Sequence, residues 1–297
     1  MIKLPSIFRY PGSKHRFLPL LVPLIERQFV GGDQRCSEYV EPFFGGGSGL
    51  SILQCLPRDA FVRINDLDPG VHAAWQAVLR HPEELKTGIR ALLPSVALFD
   101  KLKDLELQGR YTGDIVKDGL HKIALNRFSV SGYGSKSGGP LGGRKQANPG
   151  GRIDARWSVP YLCEAINRAS RILGRFGNRL MISCEPANDL LAKCNKEAFV
   201  YLDPPYVEMG GCLYSTNMAA AEHQKMAQLL RKTKASWLLS YDDGDWVGQA
   251  YQWARRETVR LQYSNRRESE RRKECVEIFI YPRKAWGGNS VIPAVVA

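Results

Sequence analysis

Seven short apolar runs stand out along the chain, at residues 38 to 43, 60 to 65, 179 to 184, 198 to 203, 235 to 241, 256 to 263 and 275 to 281. Their length suits buried strands. Between them the apolar positions recur with helical spacing, as in Pro69 to Leu79 and Ala220 to Lys232. Alternating strands and helices predict a mainly parallel α/β sheet. The alternation breaks once, where the mostly helical and basic residues 69–178 separate the second strand from the third. That stretch is too long for an ordinary crossover loop. The pattern therefore predicts one domain built from residues 1–68 and 179–297, interrupted by an inserted, mainly helical domain at 69–178.

Polar residues cluster where the strands end. Ala198-Phe199-Val200-Tyr201-Leu202 runs into Asp203-Pro204-Pro205-Tyr206, which places those four residues at a carboxyl end, where open α/β sheets bind ligands. An ionised carboxylate and a prolyl carbonyl are both acceptors, so Asp203 and Pro204 can hold the two N–H bonds of an adenine or cytosine amine. Proline fixes its own φ and restricts the residue before it, so Pro204 and Pro205 present the carbonyls rigidly. Tyr206 offers a flat face for an unstacked base. The same four residues would also make an ordinary β-turn.

A second site lies upstream. Tyr39-Val40-Glu41-Pro42-Phe43 reads as a strand entering the turn Phe44-Gly45-Gly46-Gly47-Ser48-Gly49, with a helix starting at Leu50. Glycines let backbone approach a ligand closely, and a helix amino end offers free N–H groups. The next strand, Ala60-Phe61-Val62-Arg63-Ile64, ends in Asn65-Asp66-Leu67-Asp68, and an acid there typically binds ribose hydroxyls. The turn has neither the Gly-x-Gly-x-x-Gly spacing of a dinucleotide fingerprint nor the Gly-Lys-Ser/Thr ending of a P-loop. A nucleoside cofactor without a diphosphate remains, and S-adenosylmethionine fits.

Charge adds a partner. Lys+Arg 42 against Asp+Glu 30 in 297 residues gives +12, which favours a polyanion. The excess is uneven, with fifteen basic against six acidic residues between 101 and 180. Within it, Ser129 to Gly151 is dense in Gly, Ser, Lys and Arg and reads as a mobile loop that orders on an anion, or else as a solvated linker. Arg127, Tyr133, Lys136, Arg144 and Lys145 are the insert's candidates for phosphate or base-edge contact. A second basic cluster, Arg266, Arg267, Arg271, Arg272 and Lys273, lies between the last two strands and suits either DNA contact or a charged hairpin tip guarding a sheet edge.

Other classes are disfavoured. The seven cysteines are odd in number and contain no Cys-x-x-Cys pair, as expected of reduced thiols in the cytoplasm. The five histidines contain no His-x-x-x-His pair, so no metal site is expected. The apolar patch from Leu18 to Ile25 is short and broken by Pro19 and Pro23, which argues against a membrane span, and no signal-peptide cleavage site follows it. The end of the chain past Pro282 is expected to be poorly ordered.

Four ordered segments carry a family resemblance: Phe8-Arg9-Tyr10-Pro11-Gly12-Ser13-Lys14, Val40 to Ser48, Asn65-Asp66-Leu67-Asp68 and Asp203-Pro204-Pro205-Tyr206. In that order they resemble the motifs of Dam-type DNA N6-adenine methyltransferases. Leu125-Asn126-Arg127-Phe128-Ser129-Val130-Ser131-Gly132 is similar to a Leu-Asn-Arg segment of that family's DNA-reading region, and Leu239-Ser240-Tyr241-Asp242 also matches. The resemblance implies a Rossmann-like S-adenosylmethionine-dependent methyltransferase sheet with an inserted DNA-recognition domain. It implies Tyr10 and Lys14 at the methionine portion of the cofactor, Pro42, Phe43 and Gly45 in the glycine turn, Asp66 at the ribose, Pro186 and Ala187 at the adenine ring, and Asp203 at the reacting end. Asn126 and Arg127, with Arg271, Arg272 and Lys273, would meet double-stranded DNA.

The implied chemistry begins with flipping the target adenine, because an amine inside a stacked pair cannot reach a sulfonium methyl. After Gly132 the sequence departs from the family's GATC readers, which leaves the recognition sequence open. An RNA or cytosine-N4 methyltransferase would share the amine-holding residues, and a catalytically silent DNA-binding homologue would share the fold. A restriction endonuclease partner and the oligomeric state are also left open.

Overall fold

The computed structural model describes residues 4–9, 14–30, 35–147, 151–205, 218–241, 244–261 and 275–283. Tyr10, Tyr206, Asp242, Arg266, Arg267, Arg271, Arg272, Lys273 and the end of the chain past residue 283 lie outside the described residues.

All seven expected strands form, each within two residues of its predicted bounds: β1 (Glu38–Glu41), β2 (Phe61–Asn65), β3 (Leu180–Ser183), β4 (Ala198–Leu202), β5 (Ser236–Tyr241), β6 (Arg255–Leu261) and β7 (Cys275–Tyr281). They build one sheet in the order β3-β2-β1-β4-β5-β7-β6. The first five positions in that order are parallel, whereas β7 runs antiparallel to both β5 and β6. Strand order reverses between β1 and β4, which makes the gap above their carboxyl ends the place for a ligand.

Ten α-helices are described: α1 (Leu18–Val30), α2 (Leu50–Leu53), α3 (Pro69–Arg80), α4 (Pro82–Ala91), α5 (Val96–Leu107), α6 (Ile115–Phe128), α7 (Val159–Gly174), α8 (Ala187–Ala192), α9 (Ala220–Lys232) and α10 (Asp245–Ala250). Local chemistry sets several of their starts. Asp68, Ser95 and Asp114 cap α3, α5 and α6 by accepting backbone N–H bonds, and Pro69 and Pro82 occupy first turns where no donor is needed. Among the described residues, no helix is long and apolar enough to cross a membrane.

Strand alternation divides the core in two. Along β4, Phe199 and Tyr201 join the apolar cluster beneath α1 and α3 to α7, while Val200 and Leu202 join the cluster beneath α8, α9 and α10. The helices at 69–178 therefore share a continuous core with the sheet. Trp75 of α3 packs against Phe8 and Phe44, with ring centroids 6.0 and 5.0 Å away. Helix α6 lies so close to α3 that a Cβ on Gly119 would stand 2.7 Å from the Ala74 Cα.

The Gly- and Ser-rich segment expected to be mobile is laced by hydrogen bonds. Ser129 bridges Pro140, the Leu141 N–H donates to the Phe128 carbonyl at 2.6 Å, and the Ser135 N–H donates to Glu106 at 2.7 Å. The Gln146 amide adds bonds to the carbonyls of Leu141 and Gly143. Polar bonds here replace the apolar core that the segment lacks.

The Gly119 contact is testable. A β-branched side chain there meets backbone, which cannot swing away, so Gly119→Val should cost about 3 kcal/mol through overpacking. Urea unfolding at constant m-value checks it; an unchanged midpoint would contradict the close helix approach.

Candidate active site

The carboxyl ends of β1, β2 and β3 are tied together by one side chain. Asn65, 1% exposed at the end of β2, donates from Nδ2 to the carbonyls of Pro42 and Glu185, both at 3.0 Å. Its Oδ1 accepts from the Ser183 hydroxyl at 2.8 Å and from the Glu185 N–H at 3.0 Å. Its backbone carbonyl takes the Phe44 N–H at 2.9 Å. Asn65 thus fixes where the chain leaves all three strands.

Above this hub lies the glycine turn. Gly45 and Gly47 adopt φ of +48° and +78°, left-handed conformations that favour glycine, and a Cβ on Gly47 would strike the Trp75 ring at 2.5 Å. Trp75 Nε1 donates to the Gly45 carbonyl at 2.9 Å. Asp66 braces the turn from β2, since its Oδ2 accepts the Gly45 N–H at 2.8 Å and its Oδ1 the Asp68 N–H at 2.9 Å. Burial, reinforced by the neighbouring Asp68, pushes the Asp66 carboxyl up to about 6. Pro42 is buried, Phe43 and Gly45 are half-buried, and Pro186 and Ala187 stand exposed and half-buried at the start of α8, just past β3. The described residues expected at a nucleoside therefore converge on three adjacent strand ends.

Asp203 and Pro204 follow β4 on the far side of the reversal, Asp203 partly exposed and Pro204 buried. Among the described residues, every partner of the Asp203 carboxylate meets one oxygen. Oδ1 receives the Lys14 ammonium at 2.7 Å and the Ser240 hydroxyl at 3.0 Å. Lys14, expected against the cofactor, is buried, and its ammonium also meets Glu277 of β7 at 3.2 Å. Beside them Glu41 accepts the Tyr39 hydroxyl at 2.8 Å. Burial, with Asp203 close by, holds the Glu41 carboxyl well above the usual carboxylate range and favours its neutral form.

Two residues expected at DNA lie elsewhere. Asn126 and Arg127, in the last turn of α6, are 1% and 6% exposed. Asn126 accepts the Arg9 N–H at 2.8 Å and donates to the carbonyls of Arg9 and Gly132. Arg127 donates to the carbonyls of Ser6 and Ile7 and lies over the Tyr161 ring. Burial lowers its pKa to about 10. These side chains clamp residues 6–9 to the insert because carbonyls of that incoming segment are the acceptors within reach. Tyr133 is half-buried, while Lys136, Arg144 and Lys145 are exposed. Arg144 forms a two-pronged bond to Asp100, both contacts 3.0 Å, at the surface.

The family model of the D12 class N6 adenine-specific DNA methyltransferases matches residues 10–113 and 147–265, which include the glycine turn, Asp66 and Asp203. The chain belongs to that family. Its seven-stranded mixed sheet is the Rossmann-like fold expected of a D12-class methyltransferase, and membership supports adenine methylation of DNA. No curated protein matches the sequence. Among the described residues of this D12-class chain, no cluster of His, Cys, Asp and Glu could hold a metal ion.

Four polar positions escaped the sequence reading. Asn65 and Glu41 lay inside recognised motifs without a role, and Ser240 lay in a matched segment. Glu277 carried a usable signal, a lone acid inside the apolar strand Cys275-Val276-Glu277-Ile278-Phe279-Ile280-Tyr281. The Asn65 hub predicts that Asn65→Leu, which strands the buried Pro42 carbonyl and the half-buried groups of Ser183 and Glu185, costs about 3 kcal/mol. Urea unfolding measures it, and a loss under about 0.5 kcal/mol would show the strand ends to be held by other means.

Proposed function

We propose that this protein transfers a methyl group from S-adenosylmethionine to N6 of an adenine turned out of double-stranded DNA. The observation that carries the reading is the pairing, across the strand reversal, of a glycine turn braced by Asp66 with a carboxylate whose described bonds all fall on Oδ1. Oδ2 of Asp203 and the carbonyl of Pro204 are then the acceptors for the two amine hydrogens.

The residues present fit the cofactor. Asp66, a partly exposed residue, stands beside a turn with little side-chain bulk, and Phe43, Pro186 and Ala187 supply apolar surface for a purine. When bound, the cofactor supplies an activated methyl group. Asp66 would accept from the ribose hydroxyls, Gly45 and its neighbours would admit the ligand backbone-close, and Tyr10 would line the methionine end. Asp203 orients the nitrogen lone pair, so alignment provides most of the acceleration. Tyr206 would stack on the extruded base and offset part of the few kcal/mol lost on unstacking.

For DNA, the exposed Lys136, Arg144 and Lys145 and the half-buried Tyr133 of the insert would supply contacts, and Arg271, Arg272 and Lys273 would approach from the loop between β6 and β7. Arg144 can exchange Asp100 for phosphate at small cost, since solvent screens an ion pair at the surface. Asn126 and Arg127 act indirectly by fixing the segment that leads to Tyr10 and Lys14. The two parts of the chain then differ in role, residues 1–68 and 179–297 holding the cofactor while residues 69–178 read DNA. We place the activity in the cytoplasm, alone or beside a restriction endonuclease of the same specificity.

Asp203→Ala should abolish labelled methyl transfer to duplex DNA while leaving cofactor affinity within about threefold. Retained turnover would refute the role of Asp203. Nucleoside analysis of the wild-type product should show N6-methyladenine; label in cytosine or RNA would support the alternative substrates. The raised Asp66 carboxyl gives a pH test. Only the ionised form accepts from both hydroxyls, so protonation through about pH 6 should weaken S-adenosylmethionine binding about tenfold between pH 7 and pH 5. Calorimetry should find that dependence flattened in Asp66→Asn; equal slopes would remove Asp66 from the site.

A further inference from the structure

The polar groups around Asp203 share one face of the sheet because of strand alternation. Tyr39 and Glu41 of β1, Tyr201 of β4, Ser240 of β5 and Glu277 of β7 all fall on the side covered by α1, as do the apolar residues two positions away from them, Phe199, Leu238 and Phe279. Antiparallel β7 brings its beginning to the edge where β4 and β5 finish: Ile278 pairs with Tyr241 and Phe279 with Ser240. Glu277, one residue before Ile278, therefore reaches the carboxyl edge and Asp203. The Phe17 and Phe279 rings meet edge-on at 5.5 Å, and the Phe17 N–H donates to the Lys14 carbonyl at 2.8 Å. That contact seats Lys14 directly over β7.

Lys14 and Glu277 have side chains only 3% exposed, and Asp203 is 20% exposed. Two carboxylates thus share one buried ammonium, and Asp203 alone reaches the site. We infer that Glu277 is a positioning residue for methyl transfer: it anchors the Lys14 ammonium against Oδ1 of Asp203, so that Oδ2 faces the target amine. This rests on the proposed methyltransferase reading and adds a residue to it. As N6 bonds to the methyl carbon, the carbon–sulfur bond breaks with its electron pair remaining on sulfur, and positive charge passes to N6. That charge develops beside the Asp203 carboxylate and is relieved when N6 releases a proton to solvent.

An anchor removed from Lys14 lets the carboxylate turn, and small misplacements at a reacting centre cost up to about 100-fold in rate. Glu277→Ala should therefore slow single-turnover methylation of duplex DNA about 100-fold, and the isosteric Glu277→Gln, which keeps an acceptor but loses the charge, about tenfold. Calorimetric affinities for S-adenosylmethionine and for DNA should stay within about twofold, because Glu277 is buried behind the site. In 15N spectra of the ligand-free protein, the slowly exchanging Lys14 ammonium signal should disappear in Glu277→Ala. If the alanine variant fails to fold, the glutamine variant decides through its rate and affinities. Rates within twofold of wild type, a loss confined to affinity, or an unchanged Lys14 signal in folded Glu277→Ala would each overturn the inference. An inactive wild-type protein would instead overturn the methyltransferase reading, which the Lys14 signal does not depend on.

Discussion

Parallel strands present a working edge only if the chain leaves each of them at a fixed height, and Asn65 imposes that condition on β1, β2 and β3. Its amide has two donors and an acceptor with two lone pairs. Each is used on the exits of the neighbouring strands, at Pro42, Ser183 and Glu185. A hydrophobic residue of similar size would pack, but it would leave those polar groups without the partner that joins the three exits. The glycine turn inherits its position from this arrangement, because the Phe44 N–H bonds the Asn65 carbonyl before Asp66 takes the N–H of Gly45.

The second half of the site depends on alternation and on one reversed strand. Four neighbouring strands contribute polar side chains to the same face, and α1 covers them, so that a carboxylate needed at the surface is braced from below by buried groups. Burial favours neutral Glu41, which limits the charge packed together there. The ammonium of Lys14 compensates two carboxylates and holds the exposed one by a single oxygen. A fully parallel sheet would not deliver Glu277 to this place. The antiparallel β7 is thus part of the site as well as of the fold.

Much of this was legible in the sequence where local chemistry governs. The seven strands, the glycine turn, Asp66 and Asp203 follow from apolar periodicity and from the residues that end each run. Tertiary partners were not legible. Asn126 and Arg127 carry side chains typical of DNA contact, yet the carbonyls of Ser6, Ile7 and Arg9, distant in sequence, claim them. Helix α3 was assigned to the insert on chain order, although Trp75 packs its ring on Phe44 in the turn. The Ser129 to Gly151 segment looked mobile by composition because hydrogen bonds through Ser135, Gln146 and Pro140 leave no hydrophobic signature.

In the proposed reaction Asp66 and Asp203, from strands on either side of the reversal, would hold the two reacting partners in line. A crystal structure with a non-reactive S-adenosylmethionine analogue and duplex DNA measures it most directly. The expected result is a ribose against Asp66 and an extruded adenine with N6 about 3 Å from Oδ2 of Asp203 and from the Pro204 carbonyl. A nucleoside bound away from Asp66, or an amine with no contact to Asp203, would contradict it.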